Sequence, residues 1–240
     1  MTGEPVSTAR ALVEERFPHA RAAFLSGSVL GPARTPTSDL DVTVVVADGE
    51  PAYRETLRHA GWVVELFVQT PAVHEWFVAR ETARGHLGTL HMVGFGTVLV
   101  DADGTAAALQ ATARERVAAG PPPPTPQRIE DLRYFLSDIL DDLVGAGDPD
   151  EIAVIASRVF EQAATTALTL AGCWLGTGKW LGRRLRDADP DLHAELIGGL
   201  REAVAGDKAR LVAVAASVLD RAGGPLVDGY RRDAPAEACE

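Results

Sequence analysis

Residues 120–126 read Gly-Pro-Pro-Pro-Pro-Thr-Pro, and the four consecutive prolines divide this chain of 240 residues into two stretches of different character. Proline lacks an N–H and fixes φ, so the run cannot continue a helix and reads as a stiff polyproline II spacer. Before it, short apolar or β-branched runs alternate with segments of helical spacing. A helix is expected over 5–17, a strand over 21–26 (RAAFLS), and a strand buried on both faces over 40–47 (LDVTVVVA). Next come a helix over 51–60 with Gly61 as C-cap, a strand over 62–69 (WVVELFVQ), and a helix over 71–84 with Pro71 in its first turn. A strand over 97–101 (TVLVD) and an Ala-rich helix over 105–119 complete the first half. After the prolines no strand-like run occurs. Helical stretches fall at about 127–145, 149–172, 178–188, 190–205 and 207–222, parted by Gly-, Pro- or Asp-rich turns. The reading is a sheet domain, α/β or α+β, over 1–120, a linker over 121–126, and an all-α helical bundle over 127–240. The last dozen residues, GYRRDAPAEACE, are expected to fray.

The chemistry is concentrated near the second strand. Gly27-Ser28 ends the first strand, and ten residues later Ser38-Asp39-Leu40-Asp41 opens the VTVVV run. Side chains at i and i+2 of a strand share a face, so Asp39 and Asp41 point together while Leu40 and Val42 point into the core. Two neighbouring carboxylates repel each other, which calls for water or a cation between them. Oxygen-only ligands suit a hard ion such as Mg²⁺, which often shares its coordination with a nucleotide's phosphates. Gly27-Ser28 supplies the type of close backbone approach that holds phosphate at a helix start. The next apolar strand, WVVELFVQ, carries a single charge, Glu65, whose burial is costly without a partner. A metal shared with Asp39 and Asp41 would remove that cost. Each piece taken singly has an ordinary reading, as a turn, a solvated strand end or an edge-strand acid. Their conjunction is what points to a site.

The segment FLSGSVLGPARTPTSDLDVTVVV, with Glu65 on the following strand, resembles the signature of the nucleotidyltransferase superfamily with the DNA polymerase β-like fold. Its layout is most similar to the bacterial two-domain aminoglycoside-type nucleotidyltransferases. The family pattern is hydrophobic-Gly-Ser, about ten residues, Ser-Asp-x-Asp, and a third acid on a later strand; Gly27, Ser28, Ser38, Asp39, Asp41 and Glu65 fall on it. Where many small members read Gly-Ser-x-Ala-Arg-Gly, this chain reads Gly-Ser-Val-Leu-Gly-Pro-Ala-Arg, which separates it from the smallest, antitoxin-like group. The resemblance implies an α+β fold, a mixed sheet with flanking helices followed by the helical bundle. It also implies nucleotidyl transfer, with Asp39, Asp41 and Glu65 as catalytic acids and Mg²⁺ ligands. Gly27, Ser28 and Ser38 would bind the nucleotide, ATP or another NTP, and Glu65 would complete the metal site or act as general base. The expected reaction moves AMP from ATP to a hydroxyl of a small acceptor. Two alternatives stand beside it, a regulator that adenylylates a partner protein and a non-catalytic nucleotide-binding protein.

Other signals are weaker. GTGKW (176–180) is no Walker A, because the glycine spacing is wrong and Trp180 stands where Ser or Thr belongs. Lys179, one of only two lysines, nevertheless opens a basic helix, and in related two-domain enzymes such a residue reaches the triphosphate. It is the expected nucleotide-binding contribution of the second domain, against the plain reading of a solvated helix face. The histidines, His86 and His91 included, show no metal spacing, and Asp101 and Asp103 sit in a turn-like DADG. Asp138, Asp141 and Asp142 form one acidic helix face. Both halves are acidic, with 10 basic against 14 acidic residues over 1–126 and 13 against 20 over 127–240, giving a net charge of −11. That balance disfavours broad nucleic-acid binding and would suit a cationic small acceptor. No apolar run approaches the ~18 residues of a membrane span, and the N-terminus lacks the apolar core of a signal peptide. Two distant cysteines, Cys173 and Cys239, make no disulfide framework and fit a reducing cytoplasm.

Overall fold

The computed structural model describes residues 3–234; Cys239 and the end of the tail lie outside them. The chain is α+β and divides into two compact units, 1–121 and 122–240. The first unit runs α1 (Pro5–Arg16), β1 (Ala22–Ser26), β2 (Leu40–Val45), β3 (Tyr53–His59), β4 (Trp62–Gln69), α2 (Pro71–Thr82), α3 (Gly88–Phe95), β5 (Thr97–Asp101) and α4 (Thr105–Ala119). Its five-stranded sheet has the order β3-β4-β2-β1-β5. Only the central pair, β2 and β4, is parallel; every other pairing is antiparallel.

The interior of the sheet follows from the sequence pattern. On one face Leu40, Val42, Val44, Val64 and Leu66 are fully buried with Leu12 and Val13 of α1. Arg10 fastens that helix to the edge strand by donating to the carbonyls of Val98 and Leu99. On the other face Ser26, Thr43 and Gln69 are buried although polar. Asp101 caps α4 by accepting from the N–H groups of Ala106 and Ala107, and Asp103 accepts from Thr105 and pairs with Arg21.

Two sequence expectations are corrected here. Residues 51–60 form an edge strand, not a helix, and Gly61 is a hairpin residue, not a C-cap. His59 pairs with Trp62 across the two-residue loop Ala60-Gly61, with φ of 47° and 87°. Two consecutive positive φ values make the type I′ turn, whose twist matches that of paired strands. The alternating exposure of Tyr53-Arg-Glu-Thr-Leu-Arg-His59 is that of a strand with one half-covered face. A further difference is α3, a helix over Gly88–Phe95 in a stretch between 84 and 97 to which the sequence reading assigns no element.

The second unit holds α5 (Pro126–Gly145), α6 (Pro149–Leu170), α7 (Lys179–Ala188), α8 (Pro190–Val204) and α9 (Ala209–Arg221). Pro126 belongs to the first turn of α5, and Thr125 caps it by accepting from the Arg128 N–H at 3.1 Å. Leucines and small residues of all five helices form one core. Lys208 closes the end of α5 by donating to the carbonyls of Val144 (2.8 Å) and Ala146 (2.6 Å).

The described part of the tail does not fray. Tyr230 stacks on Tyr134 with ring centroids 4.0 Å apart, and its hydroxyl donates to Asp131 at 2.8 Å. Arg232 pairs with the same carboxylate. Burial alone would raise the Asp131 carboxyl, but bonds from Tyr230, Gln127 and Arg232 outweigh it and hold the group below the usual range.

Candidate active site

The acids meet because β2 and β4 are parallel and in register. Asp41 is the second residue of β2 and pairs with Glu65 of β4, while Asp39 lies just before the strand. One carboxylate oxygen from each of the three lies within 4.8 Å of the others, and all three residues are half-buried. Among the described residues this is the one group of three or more His, Cys, Asp or Glu side chains so placed. A set of three carboxylates with no nitrogen or sulfur donor could hold a hard divalent cation.

The Gly27-Ser28 stretch is built around the same carboxylates. Gly27 has φ +92°, and a Cβ there would lie 2.2 Å from Asp41 Oδ2, so only glycine lets the chain pass. Ser26 Oγ donates to the Asp41 carbonyl at 3.2 Å. Ser28 Oγ and Ser38 Oγ are 2.9 Å apart, and Ser38 Oγ also accepts from the Thr35 N–H at 2.9 Å. The two serines thus clamp the ends of the 28–38 loop. The helix start expected after Gly-Ser is a single 3-10 turn, Ser28–Leu30.

Lys179 is not brought to the triad within a unit. It is the first residue of α7 in the second unit and is exposed. Arg183, one turn on, stacks over the Trp180 ring at 4.7 Å. In the GTGKW stretch, Gly176 has a packing cause, since a Cβ would meet the Trp180 backbone at 2.6 Å. Asp138, Asp141 and Asp142 are exposed on α5, opposite the buried Leu136, Leu140 and Leu143.

The sequence leaves Arg34 without an assigned role and does not reveal two arginines of β3. Arg54 of β3 donates to Glu65 Oε2 at 2.7 Å and lies over the Phe67 ring at 4.9 Å. Arg34 lies over the Trp62 ring at 5.0 Å and, with Arg58, Thr35, Thr37 and Ser38, lines a hollow of about 680 Å³. Arg54 and Arg58 were obscured by the helical reading of 51–60. The available signal was the Ala-Gly pair between two strand-like runs.

No protein-family model matches the chain, and no curated protein sequence matches it. Among solved structures, a nucleotidyltransferase-like protein from Exiguobacterium sibiricum 255-15 is similar at 13% identity and a TM-score of 0.47. The alignment covers 90% of this chain and 73% of that one. A likeness at that level bears on neither substrate nor reaction.

Proposed function

We propose that this chain is a divalent-metal-dependent nucleotidyltransferase that moves AMP from ATP to a hydroxyl of a small-molecule acceptor and releases pyrophosphate. The observation that carries this reading is the convergence of Asp39, Asp41 and Glu65 within 4.8 Å beside the Gly27–Ser28 turn. In the reaction the acceptor oxygen bonds to the α-phosphorus of the nucleotide. The bond from that phosphorus to the α,β-bridging oxygen breaks, and pyrophosphate departs with the electron pair. The hydroxyl proton passes to Glu65 or to water.

Asp39 and Asp41 would hold the metal, with Glu65 as third ligand or as the base that receives the proton. When bound, the ion would neutralise charge on the α-phosphoryl oxygens and the leaving pyrophosphate. Ser28 and Ser38 offer hydroxyls to the β- and γ-phosphates, and Gly27 keeps the backbone close enough for them to reach. Arg54 orients the Glu65 carboxylate by a charge-assisted hydrogen bond. Lys179 is the second unit's candidate contact to the triphosphate. No helix of the described residues is long and apolar enough to cross a membrane, and a cytoplasmic enzyme fits the cysteine usage.

The test is pyrophosphate release by the full chain with each NTP and Mg²⁺ across a library of hydroxyl compounds. Release that requires metal and acceptor and disappears in Asp41→Asn is expected. Absence of both release and metal-dependent NTP binding would overturn the reading.

A further inference from the structure

The face of the sheet that bears the acids changes character along its strands. Side chains on this face recur every second residue, roughly 6.6 Å apart. The parallel register sets Asp41 beside Glu65 and Thr43 beside Phe67. At the start of β2, Ser38 borders the hollow with Arg34 and Arg58, whose cations sit there beside hydroxyls and the apolar Trp62 and Val63. The triad follows. One strand repeat further on, Thr43 and Phe67 floor a second pocket of about 690 Å³, walled by Trp76 and Phe77 of α2 and Met92 of α3. The order along the β2–β4 pair is therefore hollow at the hairpin end, acids, apolar pocket.

That pocket has the size and lining of a small-molecule site, mostly apolar and aromatic with a few polar groups. Trp76 is 54% exposed and Phe77 38%, and their rings meet edge to face at 4.9 Å. Large aromatics left open beside a polar centre mark a surface that takes a ligand. The two charged residues that line it are already engaged. Arg54 is paired with Glu65, and Glu81 accepts from both the N–H and the hydroxyl of Thr89, at 2.7 and 3.1 Å. Thr89 is a neutral partner, so the aromatic lining rather than charge pairing is what characterises the pocket.

Resting on nucleotidyl transfer, we infer that this pocket houses the acceptor, and that the acceptor carries a planar aromatic body. Attack and departure at phosphorus lie roughly in line. Pyrophosphate held by Ser28 and Ser38 leaves towards the cationic hollow, so the attacking hydroxyl enters from the Thr43–Phe67 side. One strand repeat separates Phe67 from Glu65, about the span from the far ring to the hydroxyl of a two-ring phenol. Phe67, Trp76 and Phe77 stack or edge the rings, while Glu65 receives the hydroxyl. The expectation of a cationic acceptor is drawn from net charge, which describes the whole surface, whereas the aromatic lining of the pocket is local.

The test uses the full chain and two probes: 4-methylumbelliferone, a planar phenol, and kanamycin A, a polycation with no aromatic ring. Binding of each is measured by equilibrium dialysis without nucleotide, and transfer by pyrophosphate release with ATP and Mg²⁺. We expect 4-methylumbelliferone to bind and kanamycin A not to. The double variant Trp76→Ala with Phe77→Ala should weaken phenol binding about tenfold or more while leaving Mg²⁺-dependent ATP affinity unchanged, which shows that the variant is folded. Met92→Trp, which narrows the pocket without removing an aromatic, should weaken it as well. Preference for kanamycin A, absence of phenol binding, or an unchanged affinity in both variants would overturn the inference. So would competition of the phenol with AMP, since the pocket would then hold the nucleobase. Phenol binding that behaves as expected, with no pyrophosphate release from any acceptor, would refute nucleotidyl transfer and leave the planar-ligand pocket standing.

Discussion

The two faces of the β2–β4 pair are one residue apart in sequence and opposite in purpose. Leu40, Val42, Val44, Val64 and Leu66 are fully buried against α1 and the rest of the core. Asp41 and Glu65, interleaved with them, are half-buried and crowd three like charges together with Asp39. Strand parity thus lets one short segment stabilise the fold on one side while gathering three carboxylates on the other. The comparison teaches that stability and chemistry should be separable here by single substitutions.

The largest expected effect is on the charged face. Asp41→Asn should abolish turnover, because a neutral amide cannot offset a divalent ion, and several kcal/mol of transition-state stabilisation disappear with it. Its melting temperature should equal or exceed that of the wild type, since the substitution relieves like-charge repulsion. Calorimetry beside a turnover assay reads both. A clearly lower melting temperature would show that the acid face also supports the fold. On the other face Leu40→Ala should cost about 2–5 kcal/mol of stability through lost burial and a residual cavity. Activity per folded molecule should persist, as denaturant titration and active-site normalisation would reveal.

A smaller effect tests whether the chemistry is confined to the sheet unit. Lys179 is exposed at the start of α7, whereas Lys208 is fixed to two carbonyls. Lys179→Ala should therefore leave stability unchanged. If it contacts the triphosphate, it loses about 1.5–3 kcal/mol, roughly ten- to a hundredfold in kcat/KM. Kinetics identical to the wild type would restrict the site to the first unit.

Much of the β2–β4 pair was legible in the sequence because its signals are strong and local. Apolar runs rich in β-branched residues mark both strands, and Asp39, Asp41 and Glu65 are the charges those runs should exclude. The pairing was not legible. That Asp41 stands opposite Glu65 depends on β2 and β4 being parallel, and no local pattern encodes it. Residues 51–60 misled because Arg, Glu and His on an edge strand carry little apolar periodicity, and Ala at a positive φ disguises a type I′ turn. The aromatic pocket escaped for a related reason: Trp76 and Phe77 read as part of a helix over 71–84, while Thr43 and Phe67 become the pocket's floor only through the sheet register.

The smallest effect concerns how dry the acid-bearing side of the sheet becomes beyond the pocket. His74 of α2 is 5% exposed, and its Nδ1 lies 3.1 Å from Gln69 Oε1, an amide oxygen that can only accept. Burial pushes the His74 imidazolium below its ordinary range; Glu75 opposes the shift and Arg116 adds to it. An unfolded histidine titrates near ~6.5. Between that value and the depressed folded one, the unfolded chain binds the additional proton, so stability rises with pH. Stability is therefore complete above the unfolded value and declines as pH falls from there through the folded one. His193 shifts in the same direction, through burial and then Arg186 and Arg201, and contributes a shared background slope. His74→Asn keeps an N–H donor near Gln69 but cannot titrate, so subtracting its pH dependence from that of the wild type isolates His74. Denaturation midpoints of the variant should fall less steeply below neutral pH. Parallel curves would mean that water reaches His74, and that this side of the sheet is wetter than the face against α1.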